Sequence, residues 1–181
     1  MDIPLNEVIY TDRLLLRFVS EDDFPHLYST GNYVGFTDGM PWESPQSIAE
    51  LHAQFDIDIT NWQNGTAFTW TIDDDVTNEF VGRITINKEI SARHWAINFW
   101  IHPIHQNKGF GTESAKAIVK FGFTRLRAST ISATHPTWSI AGKKILERSG
   151  MKLVGQNPCG FKKRNQCVAV LEYEITEDQW Y

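Results

Sequence analysis

The sequence predicts a mixed α/β (α+β) domain, with a central, mostly antiparallel sheet of about seven strands and helices on both faces. Three observations lead there. Runs alternating apolar and polar residues recur along the chain, amphipathic helical spacings fall between them, and a glycine-bearing turn joins one such strand to one such helix. The expected order is β, α, α, β, β, β, α, β, α, β, β. With 181 residues the chain suits one domain, 1–181, large enough to bury a core.

Thr11 to Arg17 reads as the first strand, with Leu14, Leu16 and Phe18 on one side. Ser20, Glu21, Asp22 and Asp23 then supply a cap and first-turn acids for a helix through about Tyr28. From Thr30 to Ser44 glycines, prolines and aromatics mix without a period, which marks a loop. Loops of this kind carry contacts, and Tyr33, Phe36 and Trp42 are its candidate substrate-binding residues, although such aromatics also plug cores. Ser44-Pro45-Gln46-Ser47 caps a second helix to about Trp62, with Ile48, Leu51, Phe55 and Ile59 inward. Thr66 to Ile72 and Glu79 to Asn87 alternate as strands around Asp73-Asp74-Asp75. Consecutive acids at a hairpin tip point in different directions, so these read as a solvated turn, and no metal is expected.

Trp95, Ile97, Phe99 and Ile101 alternate with Ala96, Asn98, Trp100 and His102 in a strand that Pro103 ends. Ala115, Ile118, Val119, Gly122 and Leu126 give the next helix one apolar face. Ala128 to Thr134 is a short buried strand. Trp138 to Ser149 is a helix with Trp138, Ala141, Ile145 and Leu146 along one face, stopped by Gly150. Met151 to Val154 and Gln166 to Ile175 form a last antiparallel pair, capped by Phe161 to Asn165.

The turn from Gln106 to Gly111 carries Gly109 and Gly111, where a missing Cβ permits close approach or a positive φ. Free amides and the positive end of a helix dipole form an anion site, and Lys108 adds a charge beside it. A phosphate or diphosphate is expected there; the plainer alternative is a structural turn. No Gly-Lys-Ser/Thr run supports a Walker loop, and Ser114 stands where a dinucleotide fingerprint needs its third glycine.

A net charge of -5 argues against a nucleic-acid binder held by a broad basic face. No apolar run approaches the roughly 20 residues of a spanning helix, and Met1-Asp2-Ile3-Pro4 lacks signal-peptide order, so no membrane partner and a cytoplasmic location are expected. Cys159 and Cys167 match neither a metal nor a redox spacing and read as reduced, structural thiols.

The pattern Gln106-x-x-Gly109-x-Gly111, after Pro103 and before Thr112-Glu113, resembles the coenzyme A diphosphate loop of the GNAT acetyltransferase superfamily. Thr11-x-Arg13-Leu14-x-Leu16-Arg17, and Pro41-Trp42 ahead of Ser-Pro and a helix, resemble the branch with the ribosomal-protein N-terminal acetyltransferases. The element order is similar over nearly the whole chain. This resemblance implies acetyl-CoA as cosubstrate and an amine acceptor, either a protein N-terminus or a small molecule. It implies that Gln106, Asn107, Lys108, Gly109, Phe110, Gly111 and Thr112 hold the diphosphate, with Lys143 or Lys144 adding charge unless merely solvated. It also implies that the strand ending Phe99-Trp100-Ile101 splays from its neighbour and grips the pantetheine and thioester. Ser139 replaces the usual coenzyme-contacting Asn and either bonds the pantetheine or simply caps its helix. Gly142 stands where Ser is usual, Asn107 where glycine is frequent, and Leu146 where many members place a Tyr that protonates the leaving thiolate.

The branch often carries an acid at the places of Ala96 and Asn98, so the base must lie elsewhere. His135 is the first candidate, since histidine exchanges protons near neutral pH, and Asp38 is the second. His102 and His105 read as turn or phosphate neighbours. The acceptor is expected between the Tyr33 to Trp42 loop and the Gly160 to Asn165 turn, the acidic balance favouring a cationic amine. Monomer and homodimer both stay open. The alternative function is a non-catalytic acyl-CoA-binding module; an ATP- or NAD-using enzyme is a more distant third.

Overall fold

In the computed structural model, which describes residues 3–180, the strands are β1 Ile9–Tyr10, β2 Leu14–Phe18, β3 Ala67–Asp74, β4 Phe80–Lys88, β5 His94–Ile101, β6 Thr130–Pro136, β7 Lys152–Lys163 and β8 Gln166–Thr176. Met1, Asp2 and Tyr181 lie outside the described residues, so part of the reading of the amino terminus does too. The helices are α1 Phe24–Ser29, α2 Ile48–Asn64, α3 Phe110–Thr124, α4 Ile140–Arg148 and α5 Glu177–Trp180. All eight strands form one sheet in the order β1-β2-β3-β4-β5-β6-β8-β7. Only β5 and β6 run parallel.

Alternation along the strands gives the sheet two unlike faces. Phe68, Trp70, Ile84, Ile86 and Ile97 are buried in one cluster with Ala115, Ile118, Val119 and Phe121 of α3. The expected helical face of α3 therefore meets the apolar side. The other side carries Thr69, Thr71, Arg83 and Thr85, covered by α1 and α2 and a smaller cluster of Phe24, Leu27, Leu51 and Phe80. There Arg17 binds two carboxylates, Asp73 at 2.6 Å and Asp23 at 2.7 Å.

The parallel pair is short. β5 and β6 are in register only from His94–Ala96 to Thr130–Ser132, whereas both strands continue, to Ile101 and to Pro136. Beyond Ala96 they diverge, and among the described residues no strand pairs with the β6-facing edge of β5, whose Ile101 carbonyl accepts from Gln106 Nε2 at 3.1 Å.

Four expectations are corrected. Trp138 precedes the helix, whose N-cap is Ser139, and is 58% exposed instead of lying on the inner face. Ile48 is the first residue of α2 and is likewise exposed, at 50%. β7 is twelve residues long, not four; Gly155, Pro158 and Gly160 break its alternation, and pairing with β8 imposes the strand through two register shifts. Cys159 and Cys167 are joined as a disulfide across that hairpin, with Cα atoms 4.7 Å apart, and are not free thiols. Their spacing matches no short motif because strand pairing, not sequence proximity, brings them together. Among the described residues no helix is long and apolar enough to cross a membrane.

Candidate active site

The turn after β5 has the backbone its glycines foretold. Asn107 and Gly109 take φ of 63° and 86°, and Gly109 is the N-cap of α3. Asparagine tolerates that region better than most residues. As a result, the five consecutive amides of Asn107 to Gly111 donate to no carbonyl or side chain among the described residues. They point outward at the start of a fifteen-residue helix.

A clasp from β2's approach fixes this turn. Arg13 Nη1 donates to the Lys108 carbonyl at 3.0 Å, while its Nε and Nη2 reach Glu113 Oε2 at 2.8 and 2.6 Å. The guanidinium also lies 4.9 Å from the Phe110 ring centre. Glu113 additionally accepts from Thr11 Oγ1 at 2.6 Å. Burial pushes the Glu113 carboxyl up, but the Thr11 and Arg13 hydrogen bonds outweigh it and hold it below the usual range. An acid in the first turn of α3 is thus neutralised beside the free amides. Lys108 points away, its Nζ 3.3 Å from His105 Nδ1. His105 is held below its ordinary value by burial and then by the Lys108 charge.

These amides border a cavity of about 990 Å³ that runs between α3 and α4 and under α2. Gln106, Asn107, Gly109, Phe110, Gly111 and Thr112 line it, as do Phe99, Trp100, Ile101, Ser139 and His135. Lys108 does not. Ser139 Oγ caps α4 by accepting from Gly142 N at 3.1 Å, and its hydroxyl hydrogen remains available as a donor. Gly142 is explained by what lies beneath it: a Cβ there would stand 2.7 Å from the His135 Cβ.

His135 is buried on the last turn of β6. Its Nδ1 is 2.8 Å from the Pro136 carbonyl, which can only accept, so the ring hydrogen sits on Nδ1. Nε2 is left with its lone pair and no partner among the described residues. Asp38 lies elsewhere: it is exposed, 3.5 Å from Arg164, and does not border the cavity.

The aromatic loop divides. Trp42 lines the cavity, its ring 5.7 Å from that of Trp100. Phe36 sits behind, edge-on to both, and Tyr33 packs edge-on to His102; neither reaches the cavity. The loop and the β7–β8 hairpin end do not stand apart as two sides of an entrance. Lys163 Nζ donates to the carbonyls of Met40 and Trp42 at 3.3 and 2.7 Å and pairs with Glu43 at 2.9 Å, joining them into one wall.

Sequence reasoning missed the far half of the cavity. Thr69 and Thr85 form its floor with Arg83 and Asn98, and Glu50, Gln54 and Asp58 of α2 form its roof. The signal was present in α2, where Asp58 interrupts the inward stripe of Leu51 and Phe55 at helical spacing.

The acetyltransferase (GNAT) domain family matches this sequence over residues 13–152. The chain belongs to the GNAT acetyltransferase family. Relatives include the uncharacterized N-acetyltransferases YnaD and YoaA of Bacillus subtilis strain 168. YnaD is 25% identical over 172 residues, covering 95% of this chain and 98% of that protein. YoaA is 26% identical over 149 residues, covering 82% and 84%. Among solved GNAT structures, the ribosomal L7/L12 alpha-N-protein acetyltransferase RimL in complex with coenzyme A superimposes with a TM-score of 0.85 at 20% identity, over 96% of this chain and 99% of that one. The self-immunity acetyltransferase MccE, in complex with acetyl-CoA and AMP, gives 0.82 at 15% identity, over 92% and 93%. In this GNAT chain Leu146 is 1% exposed and part of the main core, so α4 offers no hydroxyl at that place to a departing thiolate.

Proposed function

We propose that the protein is an acetyl-CoA-dependent N-acetyltransferase that moves the acetyl group to a primary amine by direct attack in a ternary complex. The free amides of Asn107, Gly109, Phe110 and Gly111, on the same cavity as the edge of β5 that no strand pairs among the described residues, carry this reading. The coenzyme A and acetyl-CoA complexes of the RimL and MccE neighbours support it.

Diphosphate oxygens find donors and a helix N-terminus at that row. The pantetheine follows the free edge of β5 past Ser139, where amide groups on both sides can pair. At the thioester the neutral amine attacks the carbonyl carbon, the C–N bond forms and the C=O pair moves to oxygen. A preorganised backbone donor on that oxyanion is worth roughly 3 kcal/mol. The intermediate collapses, the C–S bond breaks and the thiolate leaves with the electron pair. His135 Nε2 is sealed in protein, so the ring must turn toward the cavity before it takes the amine proton and returns it to the thiolate; one histidine then serves both ends.

The acceptor, a small-molecule amine or a peptide N-terminus, occupies the half of the cavity under α2, against Trp42 and Trp100. Free thiol released from acetyl-CoA with a panel of amines tests this. Release must depend on the amine; a coenzyme-induced rise in melting temperature with no amine-dependent thiol would mark a binding module instead. His135→Ala should lower kcat about 100-fold while leaving the acetyl-CoA KM within a few fold. An unchanged kcat removes His135 from the mechanism.

A further inference from the structure

The polar face of the sheet holds two half-buried arginines in unlike states. Arg17 has its fork filled: Nε binds Asp73, and Nη1 and Nη2 bind Asp23 at 3.1 and 2.7 Å. Arg83, two strands further on, has one carboxylate partner, Asp58, which Nη2 contacts. Asp58 is held in turn by Gln54 Nε2 at 3.2 Å. The remaining Arg83 donors have no partner among the described residues. Nε is sealed in protein, but Nη1 is not, and Arg83 borders the cavity.

A buried ion pair in a pocket wall contributes little to stability by itself, because desolvation offsets its attraction. What it does is hold a planar fork in one orientation, leaving Nη1 uncovered at the cavity wall. A guanidinium held this way can donate to a carboxylate through Nη1. Arg17 shows that this sheet face accommodates an arginine between two carboxylates. The position also fits a small molecule. Arg83 lies directly across the ladder from Trp100, and Thr85 from Asn98, so the guanidinium is one strand away from the β5 edge. Adjacent strands are about 5 Å apart.

We infer that the acceptor is a compact amino-carboxylate, whose carboxylate is held by Arg83 while its amine reaches the thioester. This rests on the acetyltransferase reading above and narrows its acceptor. Asp58 is then a positioning residue, acting on the acceptor only through Arg83. Thr69 and Thr85, whose hydroxyls bond each other at 3.1 Å, complete a floor able to pair with the acceptor's remaining polar atoms.

Matched acceptors decide the point. Alanine and β-alanine are compared with their amides by acetyl-CoA thiol release, and N-acetylalanine with its amide by calorimetry on the coenzyme A-loaded protein. At least one acid should exceed its amide by about 10- to 100-fold in kcat/KM, the loss expected when a charged hydrogen-bond pair is removed. N-acetylalanine should bind more tightly than its amide. In Arg83→Gln the acid-to-amide ratio should fall toward one. The double variant R83Q/D58N, which leaves no unpaired buried charge, should show the same collapse and serves if the single variant melts early. Equal use of acids and amides by the unaltered protein, or a ratio that survives in both variants, overturns the inference. The two readings fail separately. Thiol release that depends on amines but ignores the carboxylate sinks only the acceptor class, whereas carboxylate-selective binding with no turnover sinks the enzyme and keeps the Arg83 site.

Discussion

Gly109 concentrates the argument for coenzyme binding into one dihedral angle. At φ 86° a β-branched residue is strained by about 1–3 kcal/mol, and the turn can relieve that only by withdrawing its amides. Gly109→Val should therefore raise the acetyl-CoA KM by about tenfold or more in initial-rate measurements, with a smaller change in kcat. Gly111 makes a different demand, since a Cβ there would lie 2.8 Å from Ile145 Cδ1 and make that side chain shift. Both glycines were legible in the sequence because their chemistry is local. Arg83 and Asp58 were not: they lie 25 residues apart on different elements, and only the closing of α2 over β4 makes a site of them. The buried acids allow a test at the same scale. Burial pushes Asp23 up, but hydrogen bonds from Arg17, Thr71 and the Ser20 backbone bring it below its ordinary 3.8. A carboxylate lowered on folding adds stability above its unfolded value and loses it as pH falls through its folded value. Asp73 runs oppositely, raised by burial against the pull of Arg17, with the Asp23 charge adding to the rise. Its contribution is present below the unfolded value and fades as pH climbs through the raised one. Asp23→Asn should cost about 3 kcal/mol at neutral pH and flatten the acid limb of stability, read by urea unfolding across pH.

Among the elements, the β7–β8 hairpin decides the shape of the acceptor half. Its end holds the Trp42 segment through a Lys163 ammonium that is 9% exposed and bonded to two carbonyls. Lys163→Met should loosen that wall, speed amide exchange at residues 40–43, and raise the acceptor KM about tenfold while leaving the acetyl-CoA KM in place. Cys159 and Cys167 close an eight-residue separation in the same hairpin, so reduction should cost about 2–3 kcal/mol on a chain-entropy account, measurable as a lower urea midpoint. Little of this was readable beforehand. A strand with Gly155, Pro158 and Gly160 has no period of its own and takes its form from β8, whereas β5 and α3 announced theirs through clean alternation and helical spacing.

For the molecule as a whole, coenzyme binding should appear as added stability. At a concentration 100 times Kd, linkage supplies about 2.7 kcal/mol, which for a domain of this size raises Tm by about 5–10 °C. Gly109→Val should lose about half of that shift or more at the same concentration. The element order and the positive-φ turn before α3 could be foreseen because strand alternation, helix periodicity and glycine spacing are written in neighbouring residues. The far half of the cavity takes single side chains from the successive elements α2, β3, β4 and β5, and its character emerged only when they met.

β5 contributes to both compartments at once, sending Ile97 and Ile101 into the hydrophobic interior while Asn98 and Trp100 line the cavity. Inheritance can exploit that division. Substitutions at every second position retune which amine is chosen while the alternate set keeps the scaffold intact, so new specificities can arise without passing through unfolded ancestors. A single-residue deletion within the strand has no such freedom, because it would exchange the two sets and spoil architecture and selectivity together.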